Sequence, residues 1–182
     1  IGKGYQDLKH TIYIILDEDF NFSSYVGIPV HGILGYDFFE NHAIEIDYIS
    51  KRIIVYNDEK LYQRKSRNFV EFPISIENKK PYLITEIQEN KEKIAAKMLI
   101  DTGNGDAVWI FPNLKKDFIY KNPSIDDFLG RGFNGDIHGK RSRINNISIG
   151  DFTFNQPVTA LPDEFSIQNF QMAENRKGSI GS

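Results

Sequence analysis

The chain has 182 residues, 40% hydrophobic and 26% charged, with a net charge of −3. That balance belongs to a folded globular protein of one domain or two small lobes, not to a disordered chain. Its Lys and Arg are scattered among acids and form no basic face, so no nucleic-acid partner is expected. No apolar run is long enough to cross a bilayer, so no membrane insertion is expected, and the lack of cysteine excludes disulfides, thiol catalysis and thiolate metal sites.

In chain order, apolar residues alternate with period two over short runs bounded by turn residues, which predicts a mainly β protein. Residues 11–16 read as a buried strand closed by Asp17-Glu18-Asp19. Ile33-Leu34-Gly35 precedes a short stretch, Tyr36 to Glu40, and then a hairpin of residues 43–48 and 52–56. The charged, weakly patterned stretch 58–68 is read as a linker, with a short exposed helix as the alternative. From Phe69 a second series begins: strands over 69–76, 82–87 and 93–100, turning at Glu77-Asn78-Lys79-Lys80 and Glu89-Asn90-Lys91-Glu92. The third strand ends in Met98-Leu99-Ile100 and delivers Asp101-Thr102-Gly103-Asn104. A further apolar strand covers 107–111, and 112–128 is expected to hold one or two short helices with Ser124 as a cap.

Residues 130–139 contain four glycines, the pattern of a movable hairpin or of tight turns. These glycines have neither dinucleotide-fingerprint spacing nor a following apolar helix, so no phosphate cradle is expected. Strands over 143–149, 152–154 and 156–161 complete the meander, and the sequence closes on Ser179-Ile180-Gly181-Ser182.

Taken alone, an Asp-Thr-Gly is more often an Asx-type turn between strands than a catalytic site. Other chemistry-bearing groups point nowhere specific. His10, His31, His42 and His138 are dispersed without ligand spacing, Asp17-Glu18-Asp19 lacks the cation-loop pattern, and Asp126-Asp127 reads as two exposed acids near a turn. No metal and no cofactor are expected. Trp109 alternates with apolar neighbours and is expected in the core.

The combination of an apolar strand before Asp101, a Gly-rich hairpin after it and two apolar-apolar-Gly segments resembles the retropepsin-like aspartic proteases, specifically the two-lobed bacterial members. The resemblance implies lobes built as closed or partly open β-barrels with a few short helices. Asp101 would be one of two catalytic acids, supported by Thr102, Gly103 and Asn104. Gly132, Phe133, Asn134, Gly135 and Asp136 would form the flap over substrate. In that family each Asp-Thr-Gly strand pairs with an apolar-apolar-Gly segment, here Ile33-Leu34-Gly35 and Ser179-Ile180-Gly181, the latter with Ser179 in the first apolar place. Asn104 departs from the small residue usual at its position, and its amide is expected to donate to the Asp101 carboxylate.

Order matters. Ile33-Leu34-Gly35 precedes the one Asp-Thr-Gly in the sequence, whereas within a lobe it should follow. Residues 1–57 are therefore read as the closing half of a first lobe whose own catalytic acid lies upstream, and 69–182 as a second lobe lacking its last helix and strand. The implied partners are a polypeptide substrate and either the missing upstream lobe or a second copy of this chain, and the chain by itself is expected to lack a complete site. A non-catalytic peptide-binding module on the same scaffold is the alternative. The resemblance alone favours an extracytoplasmic or cell-envelope protein.

Overall fold

The computed structural model describes residues 12–14, 23–24, 27–56, 69–115, 122–132, 135–168 and 173–182. These fall into two compact units, Ile1–Glu71 and Phe72–Ser182. The expected linker at 58–68 lies outside the described residues, and among those described no helix is long and apolar enough to cross a membrane.

In the first unit a single helical turn, α1 (Tyr36–Phe39), follows the extended Gly35, and a hairpin of β1 (Ala43–Asp47) and β2 (Arg52–Tyr56) comes next. Its register runs from Ala43 opposite Tyr56 to Asp47 opposite Arg52. Two features close the turn: the Asp47 carboxylate accepts the Ser50 N–H at 2.9 Å, and Lys51 takes a left-handed conformation (φ 53°). The Ser50 N–H also holds the Asp47 carboxyl below the ordinary Asp range, with Arg52 adding to it. The strand expected at 11–16 is not formed where it is described: Ile12, Tyr13 and Ile14 are coil and largely exposed, and 11, 15 and 16 lie outside the described residues.

The second unit is one ten-stranded sheet, so the protein is mainly β with few short helices. Its strands are β3 (Ser75–Glu77), β4 (Lys80–Glu89), β5 (Glu92–Ile100), β6 (Val108–Ile110), β7 (Ile125–Gly132), β8 (Gly135–Arg143), β9 (Asn146–Ile149), β10 (Phe152–Asn155), β11 (Val158–Pro162) and β12 (Arg176–Ile180). Short helices α2 (Pro112–Lys115) and α3 (Glu164–Ile167) decorate it. The spatial order is β10-β9-β4-β5-β12-β6-β11-β8-β7, with β3 also paired to β4; among the described residues the path is open, ending in β10 and β7.

Most neighbours are antiparallel and joined by short turns. Asn78, Lys79 and Asn90 adopt positive φ at the first two, as turn-formers do. The expected strand over 69–76 shrinks to Ser75–Glu77. Pro73 has no N–H to give a ladder and restrains Phe72 before it. The helix expected after a Ser124 cap is instead β7, whose Gly130 and Gly132 disfavour a helix and whose partner β8 supplies the pairing.

The core sits on both faces of the central strands. Val108 and Ile110 join Ile87, Ala96, Met98 and Leu161 in one cluster. Trp109, between them, joins Phe111, Leu129, Ile137 and Ala160 in another. A strand buried on both faces reads as an unbroken apolar run, as residues 107–111 do.

Candidate active site

Strands β5 and β6 are consecutive in sequence but not adjacent in space. β12 is threaded between them, parallel to β5 (Ile180 opposite Ile100) and antiparallel to β6 (Ile180 opposite Val108). The connection between β5 and β6 must therefore pass over the end of β12, and that connection is the loop 101–107. β12 is hydrogen-bonded along both edges, to β5 on one side and β6 on the other, so the loop rests on a strand held from both sides.

The bonds are specific. The Asp101 N–H donates to the Ile180 carbonyl at 2.8 Å, Gly181 N–H to Ala107 O at 3.1 Å, and Ser182 N–H to Asn104 O at 3.1 Å. The Ser182 hydroxyl donates to Thr102 O at 3.1 Å. Within the loop, Asn104 N–H donates to Asp101 O at 3.1 Å, and Gly103 N–H to the Asp101 carboxylate at 3.1 Å. The half-buried Asp101 side chain is thus presented at the sheet end with a backbone donor holding one oxygen.

Glycine is required at Gly181. A Cβ there would overlap the carbonyl oxygens of Asp106 and Asn104 and lie 3.1 Å from the Asn104 carbonyl carbon. By contrast a Cβ on Gly103 would meet Asp101 Oδ1 at 3.4 Å, an ordinary contact, so within this chain the turn around the carboxylate does not itself demand glycine. Asn104 also differs from expectation. Its Oδ1 accepts the Asp106 N–H at 3.0 Å, and its side-chain amide makes no hydrogen bond to the Asp101 carboxylate.

Asp106 had no signal in the sequence, yet it is the most connected acid of the loop. Its carboxylate accepts Trp109 Nε1–H at 2.9 Å and an N–H of Arg141, whose Nε–H donates to Asp127. With both oxygens engaged and a cation against it, Asp106 is unsuited to sharing a proton with a second acid. The hydrogen bond from Arg141 to Asp106, then that to Asp127, holds the guanidinium above its ordinary range. Asp126 and Asp127 are not turn acids: both lie on β7, Asp126 paired with Lys140 at 2.7 Å and Asp127 with Arg141.

Arg176 is a second feature that sequence reasoning missed. It begins β12, is 6% exposed, donates Nε–H to Gly178 O at 3.0 Å and lies 4.7 Å from the Phe111 ring centroid. Among the described residues no carboxylate pairs with it, and burial lowers its proton affinity, the Asp101 charge acting in the opposite direction.

The candidate residues divide as follows. Asp101, Thr102, Gly103 and Asn104 meet Ile180 and Gly181 in one hydrogen-bonded crossing. Gly132, Gly135 and Asp136 lie at the distal end of the β7–β8 hairpin, with Asp136 3.6 Å from Arg131; Phe133 and Asn134 lie outside the described residues. Ile33, Leu34 and Gly35 belong to the other unit, where the first two are exposed and Gly35 precedes α1.

No family model and no curated protein matches the chain. Among solved structures it is similar to a retropepsin-like aspartic protease from Rickettsia conorii, at 11% identity and a TM-score of 0.38, over 62% of this chain and 81% of that one.

Proposed function

We propose that this chain supplies one half-site of an aspartic peptidase of the retropepsin-like type. Asp101 is one of the two carboxylates that activate water for peptide hydrolysis. The observation that supports this most is the loop 101–107 crossing β12, with the Asp101 N–H on Ile180 O and its carboxylate accepting the Gly103 N–H. An acid so held has little freedom of approach, which is what a reaction needing two carboxylates about 3 Å apart requires.

In the reaction the two acids share one proton, because like charges that close cannot both ionise. The ionised member takes a proton from water as the water attacks the scissile carbonyl; the protonated member donates to the carbonyl oxygen. The tetrahedral intermediate then collapses with proton transfer to the leaving amine. The sequence holds one Asp-Thr-Gly, and Asp106 and Asp127 are both bound to Arg141. The second acid therefore comes from an upstream lobe of the same polypeptide or from another copy of this chain. We read residues 1–57 as the closing half of that upstream lobe and 69–182 as the second lobe. The β7–β8 hairpin covers the substrate.

The test is cleavage of an unfolded protein at acidic pH by the polypeptide that contains both acids. Asp101→Asn should lower the rate by about a thousandfold or more while the protein stays folded. An unchanged rate would remove Asp101 from the chemistry. A folded protein that binds extended peptides without cutting them would favour the binding module instead.

A further inference from the structure

The Asp101 loop and the β7–β8 hairpin are distinct parts of the sheet path, and one side chain joins them. Arg141 on β8 donates from Nη1 to Asp106 in the loop and from Nε to Asp127 on β7. Its side chain is 26% exposed and that of Asp106 15%, so the pair between them is shielded from water on most sides. Asp106 passes the constraint inward through its contact with Trp109 and backward through Asn104, whose N–H is bonded to the Asp101 carbonyl.

The hairpin itself has two parts. Its base is anchored. β8 pairs with β11 from Arg143 to Gly139, and a Cβ on Gly139 would sit 2.7 Å from Pro162 Cα. The His138 N–H donates to Ser166 Oγ at 3.1 Å, and its carbonyl accepts the Asp163 N–H at 2.9 Å. The β11 pairing ends at Gly139, and past that point the hairpin contains a register shift between Phe128 and Gly130, with Gly130 (φ 137°) and Gly135 (φ 116°) in conformations open to glycine. Arg141 lies in the anchored part, on the side facing the loop.

We propose that Arg141 is a positioning residue that clamps the Asp101 loop to both strands of the anchored hairpin base and so keeps the loop ordered. This rests on the reading of Asp101 as a working carboxylate.

Residue-resolved hydrogen exchange on the chain tests this without any need for catalysis. In Arg141→Met, the Asn104 and Asp106 amides should exchange about tenfold faster relative to those of Ile87, Ala96 and Met98, which follow global stability. The decisive variant is Asp127→Asn, which does not touch the loop: it too should speed exchange at Asn104 and Asp106 by several-fold. A common change at every amide in Arg141→Met, or loop exchange in Asp127→Asn equal to the unaltered protein, would overturn the proposal. Should Arg141→Met fail to fold, the Asp127→Asn comparison decides alone. The clamp is read from exchange in Asp127→Asn and the peptidase reading from cleavage in Asp101→Asn, so the failure of one is distinguishable from the failure of the other.

Discussion

Replacing Gly181 with alanine probes the crossing of β12 and the Asp101 loop directly. The new Cβ would overlap two carbonyl oxygens, those of Asp106 and Asn104, and both are backbone atoms with no rotamer to retreat into. The loop must lift from the strand, which threatens the bonds from Gly181 N–H to Ala107 O and from Ser182 N–H to Asn104 O. Overpacking of this kind costs about 1–3 kcal/mol, and each lost bond adds about 1 kcal/mol. The expected loss is therefore roughly 3–5 kcal/mol, or a fall in Tm on the order of 10–20 °C for a unit of this size. The control is Gly105→Ala in the same loop, where a Cβ has nothing within 4 Å. That change should be neutral or slightly stabilising, because it only restricts the unfolded chain. Urea titration followed by Trp109 emission reads both, since this is the chain's one tryptophan and it is 7% exposed. If Gly181→Ala costs no more than Gly105→Ala, the loop does not rest on β12 as described.

Three further outcomes are expected. Arg176→Met should change stability by less than about 1 kcal/mol or increase it, because among the described residues no carboxylate pairs with this buried cation, so its removal relieves a desolvation cost and strands no opposite charge; denaturant midpoints would check this, and a loss above about 3 kcal/mol would contradict it. Glu89 is 2% exposed and accepts the Asn145 N–H at 2.9 Å and Asn122 Nδ2–H at 3.0 Å, so Glu89→Ala should cost about 2–3 kcal/mol by stranding two donors, read by the same titration. Lys97, bonded at 2.6 Å, holds the Glu77 carboxyl below its ordinary range, so the pair stabilises the fold above the unfolded carboxyl value and the contribution is lost as pH falls through the lower folded value. The Tm difference between the unaltered protein and Glu77→Gln should accordingly shrink on acidification; a difference constant with pH would contradict the linkage.

Much of the local structure is legible in the sequence because it depends on near neighbours. The β4–β5 hairpin follows from alternation on either side of a turn in which Asn90 accepts positive φ. The unbroken run at 107–111 signals a strand buried on both faces, as β6 is. What the sequence hides is mostly long-range. Nothing in the pattern of 176–180 says that this segment slides between β5 and β6, because strand order is not encoded in periodicity. The pairing of Arg141 with Asp106 spans 35 residues and follows only from that order. Ile12 to Ile14 show the converse failure, since an apolar run reports a preference for burial without saying what would cover it. At the candidate site the sequence points to Asp101, Ile180 and Gly181 together, but nothing in it shows that glycine is indispensable at Gly181, where a Cβ would meet two carbonyl oxygens, and not at Gly103, where the contact is ordinary.

The pH dependence of kcat/KM for cleavage of an unfolded protein decides whether Asp101 works as half of a carboxyl pair. Hydrolysis by a pair of carboxyl groups sharing one proton requires a bell with both limbs on the acidic side of neutrality, abolished in Asp101→Asn. Activity that rises through neutral pH, or that survives Asp101→Asn with its profile intact, would contradict it.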